Sequence, residues 1–288
     1  MTEKILNPID FLPRLPLGDG VDAIIEWLRG TIGLFTRLLS EFLSTFMGGF
    51  SDLLLWFPPF ILIIIISLIA WRFSSYKVAI FTFVGLILIY NMGLWDAAVT
   101  TITMILISVL ISIIIGLPVG ILSTRSDLIH RIVWPVLDFM QTMPAFVYLI
   151  PAVFFFRLGV VSAMIATVVF SMPPVIRLTG LGIRLVSKEA VEAATAFGST
   201  DWQKLTKVQL PLAMPTIMAG INQCIMLALS MVVIAAMIGA GGLGAMVLRG
   251  IQRLDIGLGF ESGLAVVIVA IILDRITQRK TESSAEEG

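Results

Sequence analysis

The sequence contains few charged residues, and this scarcity indicates its class. Only 13% of its 288 residues are Asp, Glu, Lys or Arg, whereas 58% are hydrophobic, and the mean hydropathy is +1.03. Soluble domains carry about 25% charged residues, so the composition predicts an integral membrane protein. The formal net charge is zero, which argues against a nucleic-acid partner.

Cysteine and histidine, which often hold metal ions, are almost absent. Cys224 is the single cysteine and lies in an apolar run, so we expect a buried, unreactive thiol and no internal disulfide. His130 is the single histidine and stands beside Arg131 in a polar stretch, which predicts a solvated loop residue. The sequence therefore predicts no metal centre in this chain.

A phosphate-binding loop is also missing. No glycine-rich stretch ends in Gly-Lys-Ser or Gly-Lys-Thr, the pattern that cradles nucleotide phosphates. The glycine-rich stretch 239–244 has no lysine and follows an apolar run, so it predicts a helix break or a close-packing site. We therefore expect the chain to bind no cofactor and to have no catalytic residues.

The sequence is rich in long apolar runs. Seven stretches, most of them free of charge, are long enough for helices that cross a bilayer, which predicts an all-α fold. Asp138 is the only charged residue in the fourth stretch, and Glu261 lies near the start of the seventh. The predicted spans are 53–71, 78–95, 97–124, 132–156, 160–176, 212–248 and 256–273, with a helix end near Ile238 in the sixth.

The first 52 residues have a different pattern. Residues 1–19 are polar and contain three prolines, without the basic and apolar succession of a cleaved signal peptide. Over 23–46 the apolar side chains occupy one half of a helical wheel, and four charges are spread along the other side. Charges at this spacing disfavour a spanning helix, so we predict an amphipathic helix in the membrane interface, packed either on lipid or on protein.

Lys and Arg residues are unevenly shared between the two ends of the predicted spans. Beyond the first 52 residues, twelve lie at one set of ends and three at the other. Because cytoplasmic ends are enriched in Lys and Arg, seven spans then place the N-terminus outside and the C-terminus in the cytoplasm. The twelve are Arg72, Lys77, Arg125, Arg131, Arg177, Arg184, Lys188, Lys204, Lys207, Arg275, Arg279 and Lys280, and the three are Arg157, Arg249 and Arg253.

One charged segment, 188–211, interrupts the apolar pattern between the fifth and sixth spans. It has the pattern of two short helices, the first capped by Ser187 and ended by Gly198. One face of this first helix is small or apolar and the other is polar. The first face holds Ala190, Ala193, Ala194 and Phe197, and the second holds Lys188, Glu192 and Thr195.

The second helix of this segment has its own start and stop signals. Thr200 followed by Gln203 has the spacing of a capping box. Pro211 is expected to end or kink this helix. A folded helix pair is more than a connection between two spans needs, because connecting loops are usually shorter.

The same segment resembles the EAA loop of ABC-importer permeases. Glu192-Ala193-Ala194, Gly198, Val208 and Leu210-Pro211 stand at the family's spacing, and the family's isoleucine in place of Val208 is the only departure. The resemblance implies a coupling helix that docks on a cytoplasmic ATPase subunit, which would itself bind the ATP and Mg. The residues implied in coupling are Glu189, Glu192, Ala193, Ala194, Phe197, Gly198, Leu210 and Pro211.

Further stretches narrow the resemblance. Residues 139–151, 238–244 and 246–255 are similar to the permeases of glycine betaine/proline betaine importers. This similarity implies a type I ABC importer transmembrane domain in a bacterial plasma membrane, a homodimer with two ATPases, and a quaternary ammonium osmolyte as substrate. Some relatives carry a fused substrate-binding domain, whereas this sequence ends in a short charged tail, so we expect a separate extracytoplasmic binding protein.

On this interpretation the chain divides into four parts. Residues 1–52 form a tail and the interfacial helix, and 53–95 form two peripheral membrane helices. The permease core covers 96–275 and contains a cytoplasmic coupling loop over 184–211. A charged cytoplasmic tail, 276–288, ends the sequence.

Polar and aromatic residues inside the spans are candidates for a pore or gate. Aromatic faces hold quaternary ammonium groups by cation–π contact, although aromatic rings in membrane helices more often face lipid or other helices. Intramembrane polar groups face a bundle or a cavity, and for Asp138 the simpler interpretation is an ion pair with a nearby arginine. The candidates are Asp138, Gln141, Phe146, Tyr148, Asn222 and Gln223, with Trp134 and Phe139 as further aromatic side chains.

Three alternatives remain open from the sequence. The same loop would serve an ABC permease for another small solute, such as choline, trimethylamine oxide or an amino acid. An ion-coupled secondary transporter would need intramembrane charges, for which Asp138 and Glu261 are thin support. A channel or scaffold without coupling machinery would leave the segment 188–211 without a role.

Overall fold

The computed structural model describes residues 17–277. The predicted polar tail up to residue 16, and the charged tail from residue 278 onward, lie outside the described residues. The described part is helical and contains no strand, which confirms the all-α prediction. Its helices are α1 (Leu17–Trp56), α2 (Pro59–Phe73), α3 (Tyr76–Asn91), α4 (Trp95–Arg125), α5 (Asp127–Thr142), α6 (Leu149–Phe156), α7 (Val160–Ser171), α8 (Pro173–Arg184), α9 (Lys188–Ala196), α10 (Asp201–Lys204), α11 (Leu210–Ala236), α12 (Gly242–Arg253) and α13 (Ile256–Thr277).

All seven predicted apolar stretches are largely helical, but the helices differ in length. Among the described residues, five helical units are long and apolar enough to cross a membrane, and the bent pair α5–α6 makes a sixth. These five are α1, α4, α7 with α8, α10 with α11, and α13. The first two predicted spans correspond to α2 and α3, which are apolar but have only 15 and 16 residues. Five of the seven predicted spans therefore meet this test, counting the bent pair, whereas α2 and α3 are too short for it and α1, predicted to lie in the interface, meets it.

The fourth predicted span, 132–156, is not one continuous helix, and this prediction was wrong. α5 ends at Thr142, a 3-10 turn follows at Ala145–Tyr148, and the two halves are bent by 114°. Pro144 explains the break, because proline disfavours the helical conformation in the residue before it. Met143 accordingly has an extended backbone, with ψ of 136°.

The predicted amphipathic helix is part of the longer helix α1. This helix continues to Trp56, so the predicted start of the first span at Leu53 lies inside α1. Thr36, Leu43 and Met47 are buried, and α1 contacts α4, α6 and α7. α1 therefore packs on protein along one face and leaves an apolar face open. The large exposed side chains of that open face include Trp27, Leu34, Phe35, Leu38 and Phe42.

Helices at the centre of the fold approach each other through glycine. A Cβ on Gly120 of α4 would lie 2.7 Å from Cβ of Thr179 in α8. A Cβ on Gly220 of α11 would lie 2.9 Å from both Cβ of Leu178 and the carbonyl oxygen of Pro174. Small residues of this kind let membrane helices pack at short range. α8 is therefore held closely between α4 and α11.

The glycine-rich stretch 239–244 breaks the helix, as predicted. α11 ends at Ala236, two residues before the predicted end at Ile238, and three glycines of the stretch have positive φ. Thr101 of α4 accepts a hydrogen bond from the N–H of Leu243 at 2.8 Å. This contact fixes the start of α12 against α4.

Candidate functional site

The charged segment after α8 begins with a short helix whose two ends are capped. Ser187 Oγ accepts a hydrogen bond from the N–H of Ala190 at 3.3 Å, as predicted. Gly198 has a φ of +77°, and the N–H of Ser199 donates to the carbonyl of Ala194 at 3.0 Å. A left-handed residue closes the end of a helix and turns the chain. Gly198 therefore sets the direction in which α10 leaves α9.

The second helix has the predicted start but not the predicted end. The N–H of Gln203 donates to Thr200 Oγ1 at 3.3 Å, and the N–H of Thr200 donates to Gln203 Oε1 at 2.9 Å, which completes a capping box. The chain then makes a π-helical turn over Leu205–Gln209 and continues into α11. Pro211 has no N–H to donate, and the π turn shifts the hydrogen-bond pattern just before it. The segment is thus continuous with the next membrane helix, so the expected helix end at Pro211 is wrong, and the helix is instead distorted by the π turn just before this proline.

The small, apolar face predicted for α9 is partly buried against the protein and partly exposed. Ala190, Val191 and Ala194 are half-buried. Ala193 is exposed, and the side chain of Phe197 is 90% exposed. Half of the small face therefore packs against the chain itself, and the other half presents a small residue and a large aromatic ring outward.

A second outward aromatic ring, Trp202, was missed by the sequence reasoning. Its side chain is 66% exposed, and it lies in the first turn of α10, five residues after Phe197. Large aromatic side chains are favoured anchors in protein interfaces. The signal was present in the sequence, since Trp202 is a tryptophan in a charged segment outside the apolar runs.

Glu192 lines a cavity between α9 and the ends of α4 and α8. This cavity measures about 350 Å³, and its lining includes Arg125, Arg184 and Lys188. One carboxylate therefore shares the cavity with three cations of its own chain. Glu192 forms no ion pair within 4 Å with another described residue.

The other side of the segment is tied to α4. Arg125 Nη2 donates to the carbonyl of Asp201 at 3.2 Å, and Lys204 Nζ lies 2.9 Å from Asp201 Oδ1. The hydrogen bond and the charge of Lys204 lower the pKa of Asp201, so this carboxylate is ionised at neutral pH. Arg184, at the end of α8, donates to the carbonyl of Ser123 in α4 at 3.1 Å. The ends of α4, α8 and α10 are thus joined by arginine contacts.

A ladder of side chains, the α5–α8 ladder, connects the broken span to α8. Arg177 forms an ion pair with Asp138, and its guanidinium lies 5.6 Å from the ring centre of Trp134. The rings of Trp134 and His130 are 4.7 Å apart, and His130 Nε2 lies 3.5 Å from Arg184 Nη1. Asp138 thus has the arginine partner that its simpler interpretation expected. His130 lies within helix α5 and not in a loop, which corrects its predicted position.

The remaining pore candidates lie at the α5–α6 break and on α11. Gln141 and Phe146 are exposed on the two sides of the break. On α11, Asn222 is half-buried and Gln223 is exposed. Tyr148 is buried, and its hydroxyl donates to a carbonyl of α5, so this side chain braces the bend.

Cys224 is buried in α11, as predicted. Among residues 17–277, no three His, Cys, Asp or Glu side chains come together in a way that could hold a metal ion. The geometry of the charged segment is a pair of capped helices, α9 and α10. Aromatic side chains are exposed on its outer side, and arginine hydrogen bonds join its inner side and the ends of α4 and α8.

Comparison with known proteins places the sequence in a family. Residues 114–278 match the family described as "Binding-protein-dependent transport system inner membrane component". The chain is 52% identical over 270 residues to the glycine betaine transport system permease protein OpuAB of Bacillus subtilis, covering 94% of this chain and 96% of the relative. It is 49% identical to the glycine betaine/carnitine transport permease protein GbuB of Listeria monocytogenes, covering 96% and 99%. It is 47% identical to the glycine betaine/proline betaine permease ProW of Escherichia coli, covering 99% and 80%.

The fold has a counterpart among solved structures. The inward-facing MetNI methionine ABC transporter matches with a TM-score of 0.56 at 23% identity, covering 62% of this chain and 92% of that chain. This likeness shows the fold, a type I ABC importer transmembrane domain. None of these matches supports an ion-coupled secondary transporter. The chain belongs to the binding-protein-dependent transport family of inner membrane components, as a multi-pass ABC permease of the betaine uptake group.

Proposed function

We propose that this permease imports glycine betaine, proline betaine or a related quaternary ammonium osmolyte at the expense of ATP. Three relatives of 47% identity or more are named for glycine betaine transport, which supports this substrate class. The trimethylamine N-oxide permease TmoV of Ruegeria pomeroyi is 35% identical, so trimethylamine oxide is a second candidate. Both solutes carry a methylated nitrogen that aromatic faces attract.

The observation that carries the proposal is the capped helix pair α9–α10. Phe197 and Trp202 present outward rings on a segment whose other residues are mostly small, polar or charged. Such a surface suits docking on a cytoplasmic ATPase subunit. Because α10 continues into α11 and Arg125 ties it to α4, a tilt of the pair would move two membrane helices together.

ATP and its Mg²⁺ are bound and hydrolysed by the partner subunit in this proposal. The sequence has no Gly-Lys-Ser or Gly-Lys-Thr phosphate loop to hold a nucleotide. The contribution of this chain is therefore mechanical. It converts the closing and opening of the ATPase pair into opening on one side of the membrane or the other.

The pore is proposed to form between two copies of the chain. Its candidate lining is the α5–α6 break, with Gln141 and Phe146, and the exposed side of α11 with Gln223 and the half-buried Asn222. A phenylalanine face attracts a quaternary ammonium group, and amide groups supply hydrogen bonds to its carboxylate. Asp138 acts indirectly, because its ion pair with an α8 arginine holds α5 in place.

A separate extracytoplasmic binding protein delivers the solute to the outer side in this proposal. The excess of Lys and Arg at the span ends that lie on the side of the segment 188–211, the proposed coupling segment, supports a cytoplasmic C-terminus and an outside N-terminus. A cysteine at Asp10, in a chain with Cys224→Ser, should react with an impermeant maleimide added to intact cells. Reaction only after the cytoplasm is opened would contradict this orientation.

Uptake into proteoliposomes tests the function. They contain this chain with its ATPase subunit and its binding protein, and the measurement is uptake of radiolabelled glycine betaine. We expect uptake to require ATP and to fall when excess unlabelled proline betaine competes. Competition by trimethylamine oxide alone would favour the second candidate. Uptake driven by an ion gradient without ATP would contradict the proposal.

A further inference from the structure

A polar groove lies where α1 crosses the turn between α6 and α7. It measures about 490 Å³, and its lining from α1 includes Arg29, Thr36, Arg37 and Glu41. Arg157, in the turn after α6, closes the groove from the other side. Arg29 lies seven positions before Thr36, and Arg37 lies four positions before Glu41, so these residues lie along one side of the helix. None of these residues belongs to the coupling segment or to the α5–α8 ladder.

The groove is cationic. It is lined by three arginines, Arg29, Arg37 and Arg157, and by one carboxylate, Glu41. The ion pairs among residues 17–277 involve other residues, so these arginines have no carboxylate within 4 Å. All three arginines are exposed. Arginines that line one groove suit an anion, because each guanidinium offers several fixed N–H donors.

The turn that presents Arg157 has an uncommon backbone. Arg157 has a φ of +65°, a conformation that residues other than glycine seldom adopt. Ser162 Oγ donates to the carbonyl of Arg157, which holds the turn in this shape. A conformation that is unfavourable by itself and is fixed by its surroundings is often found at functional positions.

The position of the groove relative to the membrane follows from the chain. α7 begins three residues after Arg157, and α7 with α8 forms a 25-residue unit that ends beside the coupling segment. A helical unit of this length covers about 37 Å, close to the thickness of a bilayer. The groove therefore lies at the opposite boundary from the coupling segment, at the depth of lipid headgroups.

An apolar surface continues from the groove along α1. The apolar face of α1 exposes Trp27, Leu34, Leu38 and Phe42, and Leu34 lies next to Glu41 of the groove around the helix. A helix with one charged and one apolar side lies in the membrane interface with its apolar side among acyl chains. A molecule with a phosphate at the groove and hydrocarbon along this face fits both surfaces at once.

We propose that this groove binds the phosphate group of a membrane phospholipid, and that an anionic headgroup such as phosphatidylglycerol is preferred. Arginine pairs bind phosphate oxygens with charge-assisted hydrogen bonds, which favours an anionic phosphate over a neutral group. Phosphatidylcholine carries a cation that the arginines repel, so it binds less tightly. The bound lipid joins α1 to the α6–α7 turn. The site does not depend on which solute the permease transports.

Lipid titration followed by native mass spectrometry tests the site. The full-length chain in detergent is titrated with phosphatidylglycerol, with phosphatidylcholine or with inorganic phosphate. We expect one phosphatidylglycerol to be retained per chain, about tenfold more tightly than phosphatidylcholine, a difference of ~1.4 kcal/mol. Millimolar inorganic phosphate should not displace it. Displacement by phosphate alone would show a free-anion site and overturn the lipid assignment.

Three variants locate the binding. Arg37→Gln with Arg157→Gln should weaken phosphatidylglycerol binding at least about tenfold. Arg249→Gln with Arg253→Gln, which removes the same charge outside the groove, should leave it unchanged. Glu41→Gln removes the only carboxylate of the groove and should strengthen binding, an outcome that misfolding cannot produce. Equal binding by the Arg37/Arg157 variant and the wild type, or no gain with Glu41→Gln, would overturn the proposal.

Discussion

Gly198 is the residue on which the direction of the coupling segment depends. Its φ is +77°, and an added Cβ would meet no atom within 4 Å. Space is therefore available, and only the backbone conformation resists a side chain. The left-handed conformation costs an L-residue about 1–2 kcal/mol, more for a β-branched residue, whereas asparagine adopts it comparatively often.

We predict that Gly198→Val turns α10 away from its position and lowers substrate-stimulated ATP hydrolysis about tenfold, whereas Gly198→Asn retains most of it. The measurement is ATP hydrolysis by the assembled complex in nanodiscs with saturating binding protein and substrate. Membrane insertion and the solute affinity of the binding protein should not change. Equal activity of the Val and Asn variants would mean that Gly198 is only a tolerant turn residue.

Glu192 is the only carboxylate in a cavity that it shares with Arg125, Arg184 and Lys188. Glu192→Ala leaves three cations facing one another, so we expect α9 to shift and stimulated ATP hydrolysis to fall several-fold. Glu26→Ala, the same charge change on an exposed part of α1, is the control. Unchanged hydrolysis in Glu192→Ala would remove this residue from coupling.

A double variant tests whether Glu192 pairs with a basic group of its own chain or with one on the ATPase. If the partner is a basic group of its own chain, Arg184→Ala combined with Glu192→Ala should recover part of the lost hydrolysis, because the repulsion is relieved. If the partner lies on the ATPase, the second substitution should give no recovery. The cavity favours the first result, since its cations line the same space as the carboxylate.

At the scale of elements, the α5–α8 ladder links the broken span to the helix that precedes the coupling segment. Arg177→Gln and Asp138→Asn remove the same ion pair, so each should lower stimulated ATP hydrolysis. The double variant should be no worse than the more damaging single variant, because the two residues act together. Lys77→Gln, a cation outside the ladder, is the control. Fully additive losses in the double variant would show that the two residues act independently.

Glycine contacts hold α8 between its neighbours. A Cβ at Gly220 would lie 2.9 Å from an α8 carbonyl oxygen, so we expect Gly220→Ala to destabilise the fold by about 1–3 kcal/mol through overpacking. Gly263→Ala in α13 is a matched control, since nothing lies within 4 Å of that position. The melting temperature of the detergent-solubilised chain should fall for Gly220→Ala only. Equal melting temperatures would contradict the close packing of α8 and α11.

The ends of helices were predictable from the sequence where residues close to those ends determine them. Ser187, Gly198 and the Thr200–Gln203 box act within a few residues of themselves, so their sequence spacing was enough to place the caps of α9 and α10. The apolar runs likewise gave the positions of the membrane helices, because hydropathy is a property of each stretch by itself.

The bend between α5 and α6 was not predictable in the same way. The stretch is apolar on both sides of the break, so hydropathy does not reveal the bend. A proline is not sufficient for a bend either, because α4 stays helical through Pro118, whereas the chain bends at Pro144. The neighbouring helices determine which proline becomes a break. The contact between Asp138 and Arg177 joins residues 39 positions apart, and no sequence periodicity reports such a partner.

At the scale of the whole molecule, one coupling segment per chain implies one ATPase per chain. We therefore predict a homodimer of this 31.4-kDa permease bound to two ATPase subunits. The mass of the detergent-solubilised complex, measured by native mass spectrometry, should correspond to a two-to-two assembly. A mass corresponding to one permease with two ATPases would contradict it.

The segment from α9 to α10 is proposed to pass ATPase movement to the pore. ATP-driven uptake of glycine betaine by proteoliposomes is the most direct test, with wild type, Gly198→Val and Glu192→Ala compared at equal amounts of assembled complex. We expect both variants to insert and assemble but to transport at a small fraction of the wild-type rate. Full ATP-driven uptake by both variants would contradict it.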